Sequence, residues 1–400
     1  MALWVWGIPR IELRDMTDLG LVSVLPVSML AALALLATSF CLSLRSGRSV
    51  EICRDPGDGR PVTLVRLEPR VEFERPVREL LLLAHVLLLI FMVYGLPSIV
   101  EDVPRLSATW RHTGVIEYIG RTGDVDPTID AYFNWPGFFI FGAFLVDLAG
   151  VDSALSIARW APIFFNLIFI CPLLVIFRTA TDDKRLVWLG IWFFYLTNWV
   201  SQDYFAPQAF GFVLYLVIIA TLLRWFTRSA PDQVEGFRPR PRLAWLLRHL
   251  PSRTAWEAPA PHIVTTLSPA RRTALLAVVI VLIATIVPSH QLTPFAALAG
   301  VTALVAFNRC QARGLPLLTA VLIGTWMTFM AAAYLAGNLG DLLSQIGQLG
   351  TTVEANVGAR VGGSAEHLFV VYMRLLLAGA LWTMALVGGI RAFRHGRPYS

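Results

Sequence analysis

Two adjacent carboxylates, Glu101 and Asp102, stand at the end of an almost wholly aliphatic run from Glu79 to Val100. That run is long enough to cross a hydrocarbon core of about 30 Å at about 1.5 Å per residue. The pair therefore emerges at a membrane surface, where an unpaired charge near hydrocarbon is expensive. It is either solvated loop charge or part of a site facing the interface. A carboxylate within hydrogen-bond reach of a hydroxyl can take its proton, so the pair is a candidate general base. A third acid, Asp203 in VSQDYFAPQ, lies between two later apolar runs. It reads either as a site carboxylate or as the N-cap of the following helix.

Other polar groups share this pattern of apolar runs and polar turns. Arg111 and His112 follow the acid pair in the 101–135 loop, and Gln202 precedes Asp203. Arg159 heads the next apolar run, and His290 with Gln291 occupies a tight turn, PSHQLTP. Arginine's planar fork suits phosphate oxygens, while near a membrane it also serves as a snorkelling anchor. His290 is a site residue or a polar turn residue. Asp124 and Asp126 in GDVDP match a DxD cation-binding pair, and equally a common Asp-Pro turn. His85, alone in an aliphatic run, reads as a helix–helix hydrogen bonder.

Composition sets the class that must hold these groups. Of 400 residues, 56% are hydrophobic and only 15% charged, and the mean hydropathy is +0.63, far from a soluble domain. Thirteen Trp and 24 Phe suit helix packing and an interfacial aromatic belt. The formal charge of +6 is almost all arginine, placed in loops between apolar spans, which argues against a nucleic-acid partner. Cys41, Cys53, Cys171 and Cys310 are scattered without a CxxC pair and read as structural. The expectation is an all-α, polytopic transmembrane helix bundle.

Apolar windows predict about nine spans, near 20–44, 79–100, 157–177, 186–200, 208–226, 274–289, 293–307, 316–336 and 368–390. The first twenty residues carry Arg10, Glu12, Arg14, Asp15 and Asp18, unlike a cleavable signal peptide. Trp135 to Gly150 is apolar but short, and is expected to be an interfacial or re-entrant helix on the outer side. With that segment not crossing, arginine-rich loops alternate as the positive-inside rule requires. The 45–78, 178–185, 224–272, 309–313 and 391–397 stretches then face the cytoplasm. The 101–135 loop, the turns at 201–204 and 289–291, and the 337–367 loop face out. The domain reading is 1–78, an extra span and basic cytoplasmic loop; 79–226, a catalytic module; 227–273, a Pro/Arg-rich cytoplasmic linker; and 274–400, C-terminal helices with the 337–367 loop as lid or connector.

The order of features over roughly residues 80–226 resembles the GT-C glycosyltransferase superfamily. It runs from a spanning helix and acid pair through GVIEYIGRTG, a Trp135-Pro136-Gly137 turn and a short apolar helix to Gly150-Val151 and Arg159. GT-C enzymes are membrane proteins using polyprenyl-phosphate-linked sugars, among them protein O-mannosyltransferases and the catalytic subunit of oligosaccharyltransferase. The resemblance implies an essential carboxylate at Glu101-Asp102 and a second acid at Asp203. It departs from the family in the extra span at 20–44 and in lacking a C-terminal soluble domain, which leaves acceptor recognition to the 337–367 loop or to another subunit.

The resemblance implies a definite chemistry. Glu101, Asp102 and Asp203 would be the catalytic acids. Arg159, Arg111, His112, His290, Gln291 and Gln202 would contact substrate, because negative charge develops on the leaving phosphate and needs positive charge or a metal. A divalent cation, Mg or Mn, is the candidate cofactor, with Asp124 and Asp126 as candidate ligands. The partners would be a polyprenyl-phosphate-sugar donor, membrane lipids and a glycan or protein acceptor, at the outer face of the plasma membrane. A transporter or flippase of lipid-linked sugars is the rival reading, with a non-catalytic accessory subunit the third. Against a transporter, ionisable residues within the spans are scarce, with His85 and Arg374 nearly the whole set.

Overall fold

The computed structural model describes residues 1–45, 53–54, 61–62, 75–198, 203–227, 268–307, 309–344 and 363–395. Regular structure among them is helical, apart from a two-residue antiparallel pairing of Cys53–Arg54 with Pro61–Val62. The chain divides into two units, Met1–Val100 and Glu101–Ser400. This is an integral membrane protein. Five described helices are long and apolar enough to cross a bilayer, or six if one bent pair is a single span.

In the first unit α1 (Ala2–Gly7) lies against α2 (Val27–Arg45), and α2 packs on α3 (Arg75–Val93), which is followed by α4 (Leu96–Val100). His85 ties α3 to α2. Its Nδ1–H donates to the Leu81 carbonyl at 2.7 Å, so Nε2 accepts from the Ser39 hydroxyl at 2.8 Å. That is the helix–helix role expected of a lone histidine in an aliphatic run. The 79–100 run is not one helix. Pro97 has no N–H and its ring clashes with the carbonyl four residues back, so α3 stops at Val93 and a new helix starts at Leu96.

The second unit begins with α5 (Ser107–Thr122), whose left-handed C-cap is Gly123. It continues with α6 (Gly137–Ala149), α7 (Leu155–Ala158), α8 (Ala161–Ala180), α9 (Lys184–Thr197) and α10 (Pro207–Trp225). After it come α11 (Pro269–Ile286), α12 (Thr293–Ala306), α13 (Leu315–Thr325), α14 (Ala332–Ser344) and α15 (Ala365–His395). The short apolar segment after Trp135 is the 13-residue α6. The expected 157–177 span instead starts at Ala161, where Pro162 is favoured in the first turn. The 186–200 run is a 14-residue helix, opened by the Asp183 carboxylate accepting from the Arg185 N–H and ended at Asn198. The 316–336 run is broken by a π turn at Trp326–Met330, and its two halves bend by 77°. Part of the expected 337–367 loop is helical, since α14 reaches Ser344. Residues 345–362, and residues 228–267 of the expected 227–273 linker, lie outside the described residues, while the end of that stretch is helical because α11 opens at Pro269.

Helix α10 is the hub. It packs on α8, α11, α12 and α6. Ile218, Leu222 and Phe226 meet Val279, Ile283 and Ile286 of α11 and Val301 of α12. On its other side Phe212 meets Phe169 edge-on at 5.2 Å. Lipid tails are as apolar as these side chains, so close packing and hydrogen bonds hold such helices together rather than water exclusion. Gly211 shows how tight the fit is. A Cβ there would lie 3.0 Å from the Thr293 side chain at the head of α12.

Candidate functional site

The start of α6 bridges the turns at 203–206 and 288–292 in the second unit, with Phe138 meeting Phe205 edge-on at 5.1 Å. Gly137 donates its N–H to the Pro288 carbonyl at 2.8 Å, and a Cβ at Gly137 would come within 2.7 Å of Ser289 Oγ. The Trp-Pro-Gly turn thus seats α6 against the α11–α12 turn. Nearby, the Trp326 indole donates to the Asn134 carbonyl at 3.0 Å, so the π turn braces the segment entering α6.

Asp203 is the buried acid of this assembly. Asn166 Nδ2 donates to its Oδ2 at 2.6 Å. Asn166 is itself fixed: its side-chain amide also donates to Pro162 O at 2.8 Å, and its backbone carbonyl accepts from the Tyr195 hydroxyl at 2.6 Å. Asn198 Nδ2 reaches Asn166 Oδ1 at 3.3 Å. Burial pushes the Asp203 carboxyl up from the usual 3.8 to about 6, against the lowering effect of the Asn166 bond. The helix-cap reading does not apply, because α10 is preceded by Ala206 without a side-chain cap and opens on Pro207.

Tyr204 and Phe205 carry the turn across to α5. His112 is fully buried, with its Nδ1 2.9 Å from the Phe205 carbonyl. Its ring stacks on Tyr204 at 5.8 Å and meets Tyr132 edge-on at 5.0 Å. Gln208 donates to the Tyr204 hydroxyl at 2.7 Å. Burial holds the His112 pKa below its ordinary value, and the neighbouring Arg111 charge lowers it further. Arg111 grips Asp130 with two bonds of 2.8 Å and lies over the Tyr132 ring at 4.6 Å. Asp130 in turn accepts from the Tyr132 N–H. Burial works to raise the Asp130 pKa, but these bonds together hold it below the ordinary range.

A charge on His112 disfavours a charge on His290. Burial first, and His112 second, push its pKa down to about 4. Its Nδ1 lies 2.8 Å from Thr293 Oγ1 and 3.2 Å from the Thr293 N–H, so it also shapes the turn.

Of the sequence-derived residues, Asp203, Arg111, His112 and His290 therefore belong to one neighbourhood. Glu101 instead pairs with Arg105 one helical turn on, and Asp102 is exposed. Arg159 is half-buried at the α7–α8 junction, its guanidinium 5.7 Å from the Trp160 ring. Gln291 is half-buried beside His290, and Gln202 lies outside the described residues. Asp124 accepts from the N–H of Val125, and Asp126 from the N–H and hydroxyl of Thr128. These two acids are occupied as turn caps. Among the described residues no three His, Cys, Asp or Glu side chains gather as metal ligands.

Asn166, Tyr195, Asp130 and Tyr132 went unnoticed in the sequence. Asn166 left a signal as the lone amide in the apolar run APIFFNLIFI, where a polar group must find a partner. Asp130 left none, since only folding brings it to Arg111, nineteen residues away. No protein-family model, curated protein or solved structure matches the chain.

Proposed function

We propose that the chain is a GT-C-type membrane glycosyltransferase that moves a sugar from a polyprenyl-phosphate-linked donor to a hydroxyl of a glycan or protein acceptor, with Asp203 as general base. The observation that carries this reading is the state of Asp203: buried, oriented by Asn166, and raised to about 6. A base works best with a pKa near the operating pH, and is mostly ionised at pH 7 when that value is 6. Glu101 is engaged by Arg105 and Asp102 is exposed, which suits neither to that task as well.

In the reaction the acceptor oxygen bonds to the anomeric carbon, the bond from that carbon to phosphate oxygen breaks, and the acceptor proton passes to Asp203. Arg159 is assigned to the leaving phosphate. It lies at the junction of α7 and α8, two residues before the helix that carries Asn166. No step is routed through a cation. In this reading α3, α9 and α12 also cross the bilayer, with the bent α13–α14 pair. That gives nine passages, with the 203–206 and 288–292 turns on the outer face of the plasma membrane. The test is transfer of a labelled sugar from a polyprenyl phosphate by the purified chain, with Asp203→Asn as control. Movement of the lipid across a bilayer without transfer would replace this reading with that of a carrier.

A further inference from the structure

Two tryptophans of α1 meet opposite surroundings. Trp4 is 1% exposed and Trp6 is 56% exposed, because residues two apart point to nearly opposite faces of a helix. Gly7, three residues after Trp4, shares the buried face. A Cβ there would overlap Met29 Cγ and come within 3.2 Å of Ser28 Oγ. One face of α1 is thus seated on the first turn of α2, and the other is left bare.

The length of α2 fixes the depth of that bare face. Its apolar window, Val27–Leu44, has 18 residues, or about 27 Å at about 1.5 Å per residue, against a hydrocarbon core of about 30 Å. The span has no residues to spare, so Val27 lies at one edge of the core, and Arg45 follows at the other. Seated on Ser28 and Met29, α1 lies at the Val27 edge. Its outward side chains, Leu3, Val5 and Trp6, are all exposed and apolar, as are Val27 and Leu30 at the start of α2. An apolar face at that depth is matched by acyl chains rather than by water.

A cation is pinned onto this face. The exposed Arg10 guanidinium lies 3.5 Å from the centroid of the Trp6 ring and donates to the Trp6 carbonyl. Guanidinium carries five N–H donors, and those beyond the Trp6 bond suit phosphate oxygens. Arg10 and Arg14 are offset by Glu12, Asp15 and Asp18, so the segment has no net attraction for anionic lipid. We propose that residues 1–10 form an in-plane membrane anchor, with Leu3, Val5 and Trp6 in the outermost acyl layer and Arg10 on the lipid phosphates. Indole rings are at home at that level of a bilayer. The anchor does not depend on the glycosyltransferase reading.

Fluorine NMR of the full chain in lipid nanodiscs tests it. Fluorotryptophan replaces tryptophan, and the Trp4 and Trp6 signals are assigned from Trp4→Phe and Trp6→Phe. Lipids carrying a nitroxide near the top of the acyl chain should broaden Trp6 several-fold more than Trp4. With a soluble gadolinium chelate the ratio should be smaller. A larger ratio with the chelate places the face in water, and a ratio near one with both probes is what a second copy covering the face would give. Either result overturns the proposal. Val5 is exposed, so Val5→Glu removes no core contact but puts a charge among acyl chains. It should lift the segment and make the chelate ratio the larger one. Arg10→Gln keeps a donor for the Trp6 carbonyl but loses the charge. It should let Trp6 sink, raising its broadening by a mid-chain nitroxide relative to one near the headgroup. A Trp6 signal indifferent to Val5→Glu overturns the anchor, and one indifferent to Arg10→Gln overturns the phosphate contact.

Discussion

The 101–130 segment is dense in carboxylates, while the neighbourhood of the 203–206 turn holds a single buried acid, Asp203. In the first region Asp102 is exposed, Glu101 pairs with Arg105, and Asp124 and Asp126 cap their own turns. In the second, Asp203 is held by an asparagine that is itself held by three partners. Acid density marks the first region and enforced burial the second. Only burial changes what a carboxylate does near neutral pH, because the cost of desolvating charge moves its pKa. The contrast teaches that an acidic loop can be largely self-satisfied, while one carboxylate shut away between helices has its pKa moved toward neutral.

The widest gap between the regions should appear when each acid becomes an amide. Asp203→Asn should lower sugar transfer at least about 10²-fold while lipid-donor binding survives, the usual range for removing a general base. Initial rates and a donor-binding isotherm measure it. An equal loss from Asp102→Asn with Asp203→Asn active would invert the comparison.

Next in size is the dependence of stability on pH. Asp203 binds its proton more tightly in the folded chain than in the unfolded one, where the ordinary value of 3.8 applies. Its contribution is therefore fully present below pH 3.8 and is lost as pH rises through about 6. A displacement of about two decades makes that loss about 3 kcal/mol. Thermal midpoints in detergent should fall between pH 4 and 7 in the wild type and stay flatter in Asp203→Asn. Transfer should rise over the same range, since the base must be ionised. Parallel slopes for stability and activity would separate Asp203 from catalysis.

Asn166→Ala sharpens the comparison further. The Asn166 bond lowers the Asp203 pKa, so its removal should move the rising limb of the pH–rate profile to higher pH. Transfer at pH 6 should drop about sevenfold, consistent with about 1.5 kcal/mol for a bond to a charged group. The smallest effect belongs to the loop. Glu101→Gln and Asp102→Asn should each change transfer by less than about twofold, as exposed or surface-paired charges generally do.

Much of the helical frame was legible because apolar runs of spanning length leave few alternatives. The boundaries that moved did so at particular residues: Pro97 cut the 79–100 run, and Pro162 reset the start of α8. The π turn at Trp326–Met330 was invisible, since nothing in WMTFM differs in hydropathy from the helices beside it. Asp203, Arg111, His112 and His290 were picked out by type and position. Their grouping was not, because it depends on Gly137 meeting Pro288 and on Phe205 offering its carbonyl to α5. Each of these contacts has a backbone carbonyl as its acceptor, and side-chain identity carries little trace of where that carbonyl lies.

The shortness of α9 and α12, which cross the bilayer in the proposed reading, has a further consequence. Fourteen residues each give helices of about 20 Å, some 10 Å less than an average hydrocarbon core. Lipid beside them must thin or tilt its chains to meet them, at a cost of fractions of a kcal/mol per Å. The host bilayer's thickness thereby becomes a variable acting on the turn that joins α11 to α12. Short-chain lipids should relieve that tension and long-chain lipids increase it, so acyl length alone should tune the rate.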